Sequence, residues 1–252
     1  MIKISLALKV LFIGLLLNVS GLALAVDTSI ETAVNNAARS DADRERDKTS
    51  KPVDVLNFFG VKPGMAVLDL FSGGGYYSEI LSYSVGPEGS VLSHNNAAYD
   101  TMMGEEAINR FKEDRLANVS RVSSEIYNFK FKKASQDMIL MVLTYHDIYY
   151  SAANWPKVDR DNFFRQLKET LKPGGVLAIV DHSALPNTGS TAAQDLHRID
   201  PAFAKQDIES AGFTFQAASE VLSNADDERT LSVFDENIRR KTDRFVYRFV
   251  KK

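Results

Sequence analysis

The order of apolar and amphipathic segments constrains the fold of this chain more than any other feature. Short segments rich in branched apolar residues alternate with segments whose apolar residues have helical spacing, and glycine or proline separates them. Such alternation is typical of a parallel sheet with helices on both faces. The segments that predict strands are 65–71, 90–95, 118–126, 136–147, 176–184, 213–222 and 243–252. The segments that predict helices are 52–60, 76–85, 104–116, 159–172 and 201–212.

The last two predicted strands differ from the others because no helical segment lies between them. A long polar stretch, residues 223–242, joins them. Strands joined in this way can pair in antiparallel fashion, whereas parallel neighbours need a crossover that is usually helical. We therefore predict an α/β fold with a doubly wound, mostly parallel seven-stranded sheet and an antiparallel last strand.

Composition divides the chain into three parts. Residues 1–25 have two lysines near the start, a short apolar run and the ending ALA, which is the pattern of a secretory signal peptide. An uncleaved membrane anchor is the alternative, but the apolar run is short for a span. Residues 26–51 form a charged N-terminal arm, and residues 52–252 hold the alternating segments. We expect an exported protein, periplasmic or extracellular, that starts at Val26 and has no stable membrane insertion after cleavage.

The charge balance and the cysteine count exclude several functions. The sequence has 30 Lys and Arg against 33 Asp and Glu, a net charge of −3, and no cysteine. This balance gives no attraction to nucleic acid or to an anionic membrane, so we expect neither as a partner. Thiolate catalysis, cysteine-ligated zinc and disulfide bonds are excluded. The oligomeric state does not follow from the sequence.

Three consecutive glycines, Gly73, Gly74 and Gly75, directly follow the first predicted strand. Ligands of α/β sheets bind at the carboxyl ends of the strands, where glycine permits positive φ and the close approach of a ligand. Asp69, late in the same strand, is positioned to contact the loop or its ligand. A glycine-rich turn without any ligand is the alternative interpretation.

The spacing of these glycines distinguishes between cofactors. A P-loop requires lysine after its last glycine, where this chain has tyrosine. The dinucleotide fingerprint G-x-G-x-x-G requires a third glycine where this chain has Ser78. The pattern D-x-G-x-G-x-G of S-adenosylmethionine enzymes fits better. Asp69, Gly73 and Gly75 match it, and Phe71 replaces its first glycine.

Three segments, "GVKPGMAVLDLFSGGGYYSEIL", "LKETLKPGGVLAIVDHS" and "IESAGF", resemble motifs of class I S-adenosylmethionine-dependent methyltransferases. The similarity covers residues 52–252. The chain more closely resembles a poorly characterised group of predicted methyltransferases with signal peptides, which share "FFGVKPGM", "GGGYY", "YHD", "VDHSA", "LHRID" and "TDRF". The resemblance implies a Rossmann-like methyltransferase fold, S-adenosylmethionine as cofactor and transfer of its methyl group to a small-molecule substrate.

The resemblance also implies a set of cofactor-binding residues. In the superfamily the glycine loop packs on the methionine part of the cofactor, and an acidic residue after the second strand holds the ribose hydroxyls. Asn95 is the nearest match to that acid, and its amide can bond a hydroxyl without charge assistance. The amide could instead donate to a different ligand or to the backbone of the loop "HNNAAY". The candidates for cofactor binding are Asp69, Gly73, Gly74, Gly75, Asn95 and, beside the adenine, Glu125.

The four histidines are expected to line the rim of the ligand cleft. His94, His146 and His182 lie at the carboxyl ends of predicted strands, and His197 lies in a following loop. Two of them have an aspartate neighbour, in "YHD" and "DHS", and a carboxylate can fix the tautomer of a histidine general base. We take His146, Asp147 and His182 as the catalytic candidates.

A metal site is a second interpretation of the same residues. His146, His182 and His197 could bind an ion together with carboxylates. No local ligand spacing such as H-x-x-x-H occurs, so we assign no metal ligand from the sequence.

Two hypotheses about function follow. The first is an exported methyltransferase that acts on a small molecule or an envelope component, and the histidine rim favours it. The second is a non-catalytic binding or sensor protein on the same fold, which the missing ribose-binding acid favours. We predict the enzyme. The methyl acceptor does not follow from the sequence.

Overall fold

The structure, a computed structural model, describes residues 29–252. The predicted signal peptide and the predicted start at Val26 lie outside the described residues. The helices are α1 (Ile30–Val34), α2 (Asp41–Ser50), α3 (Pro52–Phe59), α4 (Tyr76–Val85), α5 (Ala97–Phe111), α6 (Arg160–Thr170), α7 (Ala193–Leu196) and α8 (Pro201–Ser210), with 3-10 turns at Lys112–Asp114 and His146–Tyr149. The strands are β1 (Ala66–Leu70), β2 (Ser90–Asn95), β3 (Val119–Ser123), β4 (Gln136–Val142), β5 (Leu171–His182), β6 (Phe213–Ser219) and β7 (Arg244–Lys251).

These seven strands form one sheet in the order β3-β2-β1-β4-β5-β7-β6. The pairs from β3 to β5 are parallel. Strand β7 is antiparallel to both of its neighbours, so β6 runs in the direction of the other five strands. The predicted mostly parallel sheet with an antiparallel last strand is therefore confirmed.

The sheet has a hydrophobic core on each face because successive side chains of a strand point to opposite sides. One core includes Leu68 and Leu70 of β1 and packs against α6 and α8. The other includes Val67 of β1 and packs against α3 and α4. Burial on both faces explains why β1, β4 and β5 are nearly continuous apolar runs.

The segment between residues 29 and 51 is helical and packs on the second core. Ile30, Ala33 and Val34 of α1 are buried there. Helix α2 is joined to the rest of the fold by Arg110 of α5, whose guanidinium also pairs with Glu79 of α4. Among the residues described, no helix is both long and apolar enough to cross a bilayer.

The sixth helix is shorter than its sequence pattern predicts. Helix α6 ends at Thr170, and β5 begins at once with Leu171, which pairs with Gln136 of β4. The register then shifts, and regular pairing resumes at Val176. The Pro-Gly-Gly sequence is thus an irregular start of the strand, in which Gly174 has a φ of 73°.

Candidate functional site

The carboxyl ends of β1, β2, β4 and β5 lie at one edge of the sheet. Leu70 pairs with His94, and Val142 pairs with Val180, so the four strands end at a similar level. Nearly all of the candidate residues lie at the ends of these strands or in the loops that follow them. Two regions can be distinguished there: the glycine loop after β1, and a group of histidines and aspartates after β4 and β5.

The glycine loop turns sharply into α4. Gly73 and Gly75 have φ values of 58° and 83°, which favour glycine because a side chain is strained there. Asp69 lies behind the loop and accepts a hydrogen bond from Ser78 of α4 at 2.6 Å. Burial raises the pKa of Asp69 to about 6. In the described arrangement Asp69 therefore links β1 to α4.

Helix α5 makes the closest approach to the glycines. A Cβ atom on Gly74 would lie 2.2 Å from the carboxyl carbon of Glu106, and one on Gly75 would lie 2.5 Å from the ring of Phe111. Arg110 donates from Nε to the carbonyl of Gly74 at 2.6 Å. The absence of side chains in the loop therefore allows a helix of the same chain to pack against it.

The two other cofactor-binding candidates also bond to the protein itself. Asn95 accepts a hydrogen bond from the Gly73 amide at 2.9 Å through Oδ1 and donates from Nδ2 to the Gly73 carbonyl at 3.0 Å. Glu125 accepts from the amide of Ala97 at 3.2 Å, at the first residue of α5. The amide of Asn95 thus donates to the backbone of the glycine loop and not to that of its own loop, "HNNAAY".

Phe71, which replaces the first glycine of the motif, lies in a cluster of aromatic rings. Its φ is 56°, which is uncommon for a bulky residue. Its ring stacks on Tyr99 with centroids 5.6 Å apart and lies 5.5 Å from Trp155. His94 packs edge-on against Phe71, is fully buried, and its Nε2 lies 2.9 Å from the carbonyl of Ser124. The expectation that His94 lines the rim is therefore wrong.

His146 is held by the buried carboxylate of a residue that is distant in the sequence. Asp181 of β5 is fully buried, and it accepts from Nδ1 of His146 at 2.8 Å and from the backbone amide of His146 at 2.6 Å. Burial opposes protonation of His146, but the charges of Asp181 and Asp147 outweigh it and raise its pKa to about 9. The aspartate of "DHS" thus orients the histidine of "YHD".

Three side chains converge on the other side of His146, and we call them the histidine cluster: His146, Asp147 and His197. Nε2 of His146 lies 3.3 Å from Nδ1 of His197 and 3.3 Å from Oδ1 of Asp147. Tyr99 of α5 donates to Oδ2 of Asp147 at 2.8 Å. Burial and the charge of His146 lower the pKa of His197 to about 4. The structure therefore places two of the three catalytic candidates together and adds His197.

His182, the third catalytic candidate, is not part of the histidine cluster. Its Nδ1 lies 2.7 Å from the hydroxyl of Thr242, and its ring centroid is 6.1 Å from that of His146. Burial, together with the nearby positive charges, lowers its pKa well below the usual value. A neutral, enclosed His182 ties the end of β5 to the segment before β7.

A buried arginine fixes the position of His197. Arg198 is fully buried, forms a two-pronged ion pair with Asp227, and donates to the carbonyls of Ser183 and Leu231. This anchor holds His197 at a φ of 53°. The motif "LHRID", which contains Arg198, can be recognised in the sequence. The pairing of this arginine with Asp227 cannot, because Asp227 lies in the long loop before β7.

Comparison with known proteins indicates the family. Residues 61–220 match the family described as a methyltransferase domain. The demethylmenaquinone methyltransferase of Lactococcus lactis subsp. lactis (strain IL1403) is 30% identical over 134 residues, which are 52% of this chain. The match covers 48% of that protein, so the chain spans about half the length of the curated relative.

Solved structures of methyltransferases share the fold. A S-adenosylmethionine-dependent methyltransferase from Aquifex aeolicus has a TM-score of 0.59 at 22% identity, and the match covers 82% of this chain and 98% of the other. A S-adenosylmethionine-dependent methyltransferase from Mesorhizobium loti has a TM-score of 0.56 at 12% identity, with 82% and 100% covered. At these identities the likeness shows the fold alone.

The backbone of the glycine loop has the turn that an S-adenosylmethionine site requires. The side chains that pack against this loop, however, leave no open place for the cofactor. Gly73 and Gly75 give the loop the turn that the motif requires. The carbonyl groups of Gly73 and Gly74, however, bond to Asn95 and Arg110, and the ring of Phe71 lies where the motif has its first glycine. We therefore assign no cofactor contact to a side chain in this arrangement.

The family match indicates the class of protein, which the packing of the side chains leaves undecided. It spans more than half of the chain and includes the glycine loop, β4 and β5. S-Adenosylmethionine is the cofactor that goes with this fold and family. The chain belongs to the methyltransferase domain family.

Proposed function

We propose that this methyltransferase is exported and methylates a small, partly apolar acceptor whose nucleophilic atom lies against the histidine cluster. The observation that carries the proposal is the convergence of two imidazoles and a carboxylate at a place open to solvent. The side chains of His197 and Asp147 are 21% and 11% exposed, whereas that of His146 is 4% exposed. A small molecule would therefore meet His197 and Asp147 first.

The protein's own groups position the nucleophile of the acceptor. S-Adenosylmethionine supplies an electrophilic methyl group, which needs little beyond in-line placement of the acceptor. A hydroxyl or amine of the acceptor can donate its proton toward Oδ1 of Asp147 or Nδ1 of His197, as general base catalysis requires. Asp181 raises the pKa of His146 and keeps this histidine in one orientation beside the two accepting atoms, since its carboxylate holds both Nδ1 and the backbone amide.

Apolar side chains around His197 favour an acceptor with an apolar body. The rings of Tyr150 and Phe234 lie 4.9 Å and 4.8 Å from the ring of His197, measured between centroids. Phe234 is 60% exposed, and Leu231 is 44% exposed. Exposed apolar groups beside a polar cluster are typical of a ligand-binding surface. The curated relative is named for demethylmenaquinone, so quinones of that class, supplied in the reduced quinol form that has a nucleophilic ring and hydroxyls, are the first acceptors to test.

Binding of the cofactor, in this proposal, requires the first turn of α5 to move. Tyr99 of this turn stacks on Phe71 and bonds to Asp147, so it closes the space between the glycine loop and the histidine cluster. Outward movement of Tyr99 would join the two regions into one cleft. Such closure and opening of an active site is common among enzymes that exclude water from the reaction.

Export is supported by the pattern of residues 1–25. Fractionation of cells that express the full chain, followed by N-terminal sequencing, tests it. We expect the protein outside the cytoplasm with Val26 as its first residue. Protein that stays in the cytoplasm and starts at Met1 would contradict export.

A non-catalytic binding or sensor protein is the second candidate function, and Phe71 favours it. The ring of Phe71 replaces the first glycine of the motif and reduces the space for the cofactor. The protein could then bind an adenosyl compound or another small ligand without turnover.

Titration calorimetry and a transfer assay separate the candidates. We expect both S-adenosylmethionine and S-adenosylhomocysteine to bind, and labelled methyl groups to appear on a quinol or phenol. Asp147→Asn should lower turnover by about 100-fold or more while the cofactor still binds, since general base groups contribute about that much. No binding at millimolar ligand would contradict the methyltransferase proposal. Binding without turnover on any acceptor would favour the sensor.

A further inference from the structure

We propose that the histidine cluster binds one divalent transition-metal ion, of which zinc is the best example, through His146 Nε2, His197 Nδ1 and Asp147 Oδ1. The proposal goes beyond methyl transfer and does not depend on it, because metal binding can be measured in the absence of cofactor and acceptor. Three observations support it: the ligand atoms lie at suitable distances, other groups orient them, and the site is open to an ion.

The distances between the three ligand atoms suit a small ion. Nε2 of His146 lies 3.3 Å from the ligand atoms of both His197 and Asp147, and these two are 3.9 Å apart. Zinc ligands lie about 2.0–2.1 Å from the ion, so two corners of a zinc tetrahedron are about 3.3 Å apart. The three atoms therefore need little movement to surround an ion, and they form a candidate metal-binding group within the described part of the chain.

Outer groups orient two of the three ligands. Asp181 accepts the Nδ1 proton of His146 and so directs the lone pair of Nε2 toward the centre of the cluster. A carboxylate–histidine–metal arrangement of this kind is usual in metal sites, where it fixes the tautomer. Tyr99 donates to Oδ2 of Asp147 and leaves Oδ1 for the ion.

The site is open on one side. His197, the most exposed ligand, separates the cluster from solvent, and its side chain is 21% exposed. Three protein ligands leave at least one coordination position for water or for an acceptor, as in catalytic zinc sites. Two imidazoles and one carboxylate favour zinc or another late transition metal over magnesium and calcium, which prefer oxygen ligands.

His182 is excluded from this set, although the sequence alone allowed it as a ligand. Its Nδ1 lies 2.7 Å from the hydroxyl of Thr242, the residue is buried, and its nitrogens are not among the ligand atoms that lie within 4.8 Å of one another. His182 therefore provides a matched control for His197. Both are histidines close to His146, but only His197 belongs to the histidine cluster.

The competing occupant of the cluster is a proton on Nε2 of His146. Such a proton would be shared with His197 or Asp147 and would need no ion. The two possibilities differ in a direct measurement, since a proton gives neither a metal stoichiometry nor a ligand-field spectrum.

The test uses untagged protein, because a histidine tag would bind the same metals. The protein is freed of metal with a chelator and titrated with ZnCl₂ in a calorimeter and against a chromophoric chelator, then with CoCl₂ in a spectrophotometer. We expect one equivalent of zinc to bind at micromolar or lower concentration. We also expect Co²⁺ to give the intense visible bands of a four-coordinate site.

Two variants assign the site. His197→Asn should lower zinc affinity by about 100-fold or more, since loss even of an outer-shell partner costs about 10- to 100-fold. Asparagine tolerates the left-handed φ of 53° at this position better than most residues, and circular dichroism checks that the variant folds. His182→Gln should keep one zinc with unchanged Co²⁺ bands. No stoichiometric binding to the wild-type protein, or equal affinity in His197→Asn, would overturn the proposal.

Discussion

The two regions at the sheet edge, the glycine loop and the histidine cluster, differ in what lies against them. The glycine loop carries the motif most visible in the sequence, yet α5 and aromatic rings cover it. The histidine cluster has no local spacing motif, yet its reactive atoms converge and remain partly open. A motif therefore indicates where a backbone must bend, while the convergence of side chains indicates where chemistry can occur. Tyr99, which touches both regions, connects them.

The largest expected effect comes from removing the carboxylate behind the histidine cluster. Asp181→Asn would place amide hydrogens against groups that already donate, namely the amides of His146 and His182 and Nδ1 of His146. We expect a loss of about 3–5 kcal/mol in the free energy of unfolding, measured by denaturant titration. Glu45→Gln, which removes an exposed ion pair with Lys48, should cost less than about 0.5 kcal/mol. Similar losses in the two variants would show that Asp181 is not a structural support.

The next effect is a pH dependence of the free energy of unfolding, which comes from a histidine beside the glycine loop. Burial lowers the pKa of His94 from 6.5 to about 4. The unfolded chain therefore binds a proton between those values and the folded chain does not, so stability falls as pH falls from about 6.5 to 4. Each pKa unit corresponds to about 1.4 kcal/mol, which gives a loss of about 3 kcal/mol.

The variant His94→Gln isolates this contribution, because glutamine keeps a donor for the carbonyl of Ser124. The difference in unfolding free energy between pH 7 and pH 4.5 should be smaller in the variant than in the wild-type protein. An equal difference in both proteins would show that His94 does not resist protonation in the fold.

A pair of glycine variants tests what makes the loop require glycine. Gly75 and Gly64 have similar φ values, 83° and 79°, but a Cβ atom on Gly64 would meet nothing within 4 Å. Gly64→Ala should cost about 1–2 kcal/mol from backbone strain alone. Gly75→Ala should cost about 1–3 kcal/mol more, because its methyl group would overlap the ring of Phe111. Equal losses in denaturant titrations would mean that α5 is not held tightly against the loop.

The smallest effect concerns the connection between the regions. Tyr99→Phe removes the hydrogen bond to Asp147, so the proposed outward movement of α5 should cost less. We expect S-adenosylmethionine to bind up to about tenfold more tightly, equivalent to about 1.4 kcal/mol, in calorimetric titrations. Tyr127→Phe is the matched control, since Tyr127 is 64% exposed. Weaker binding by Tyr99→Phe than by the control would contradict the proposed opening.

The strand pattern and the sharp turn at the glycines followed from the sequence. Runs such as 138–142 are apolar at successive positions because both faces of the sheet are covered, and this property is readable along the chain. The antiparallel last strand followed from the missing helix between β6 and β7. These features are local, or depend on the order of neighbouring elements, so one sequence contains them.

The tertiary structure alone decided which groups meet. Asp181 pairs with His146, 35 residues earlier, because β4 and β5 are neighbours in the sheet, and the aspartate beside His182 in the sequence therefore serves a different histidine. His94 and His182 end strands as predicted, but their side chains point into packed surroundings. Sequence determined which segments form strands, since hydrophobic periodicity is a property of the chain, but not where each strand ends: the strand predicted over 136–147 stops at Val142, and His146 lies in the following 3-10 turn. The direction and partner of each side chain at those ends depend on loops and helices that close over them from distant positions.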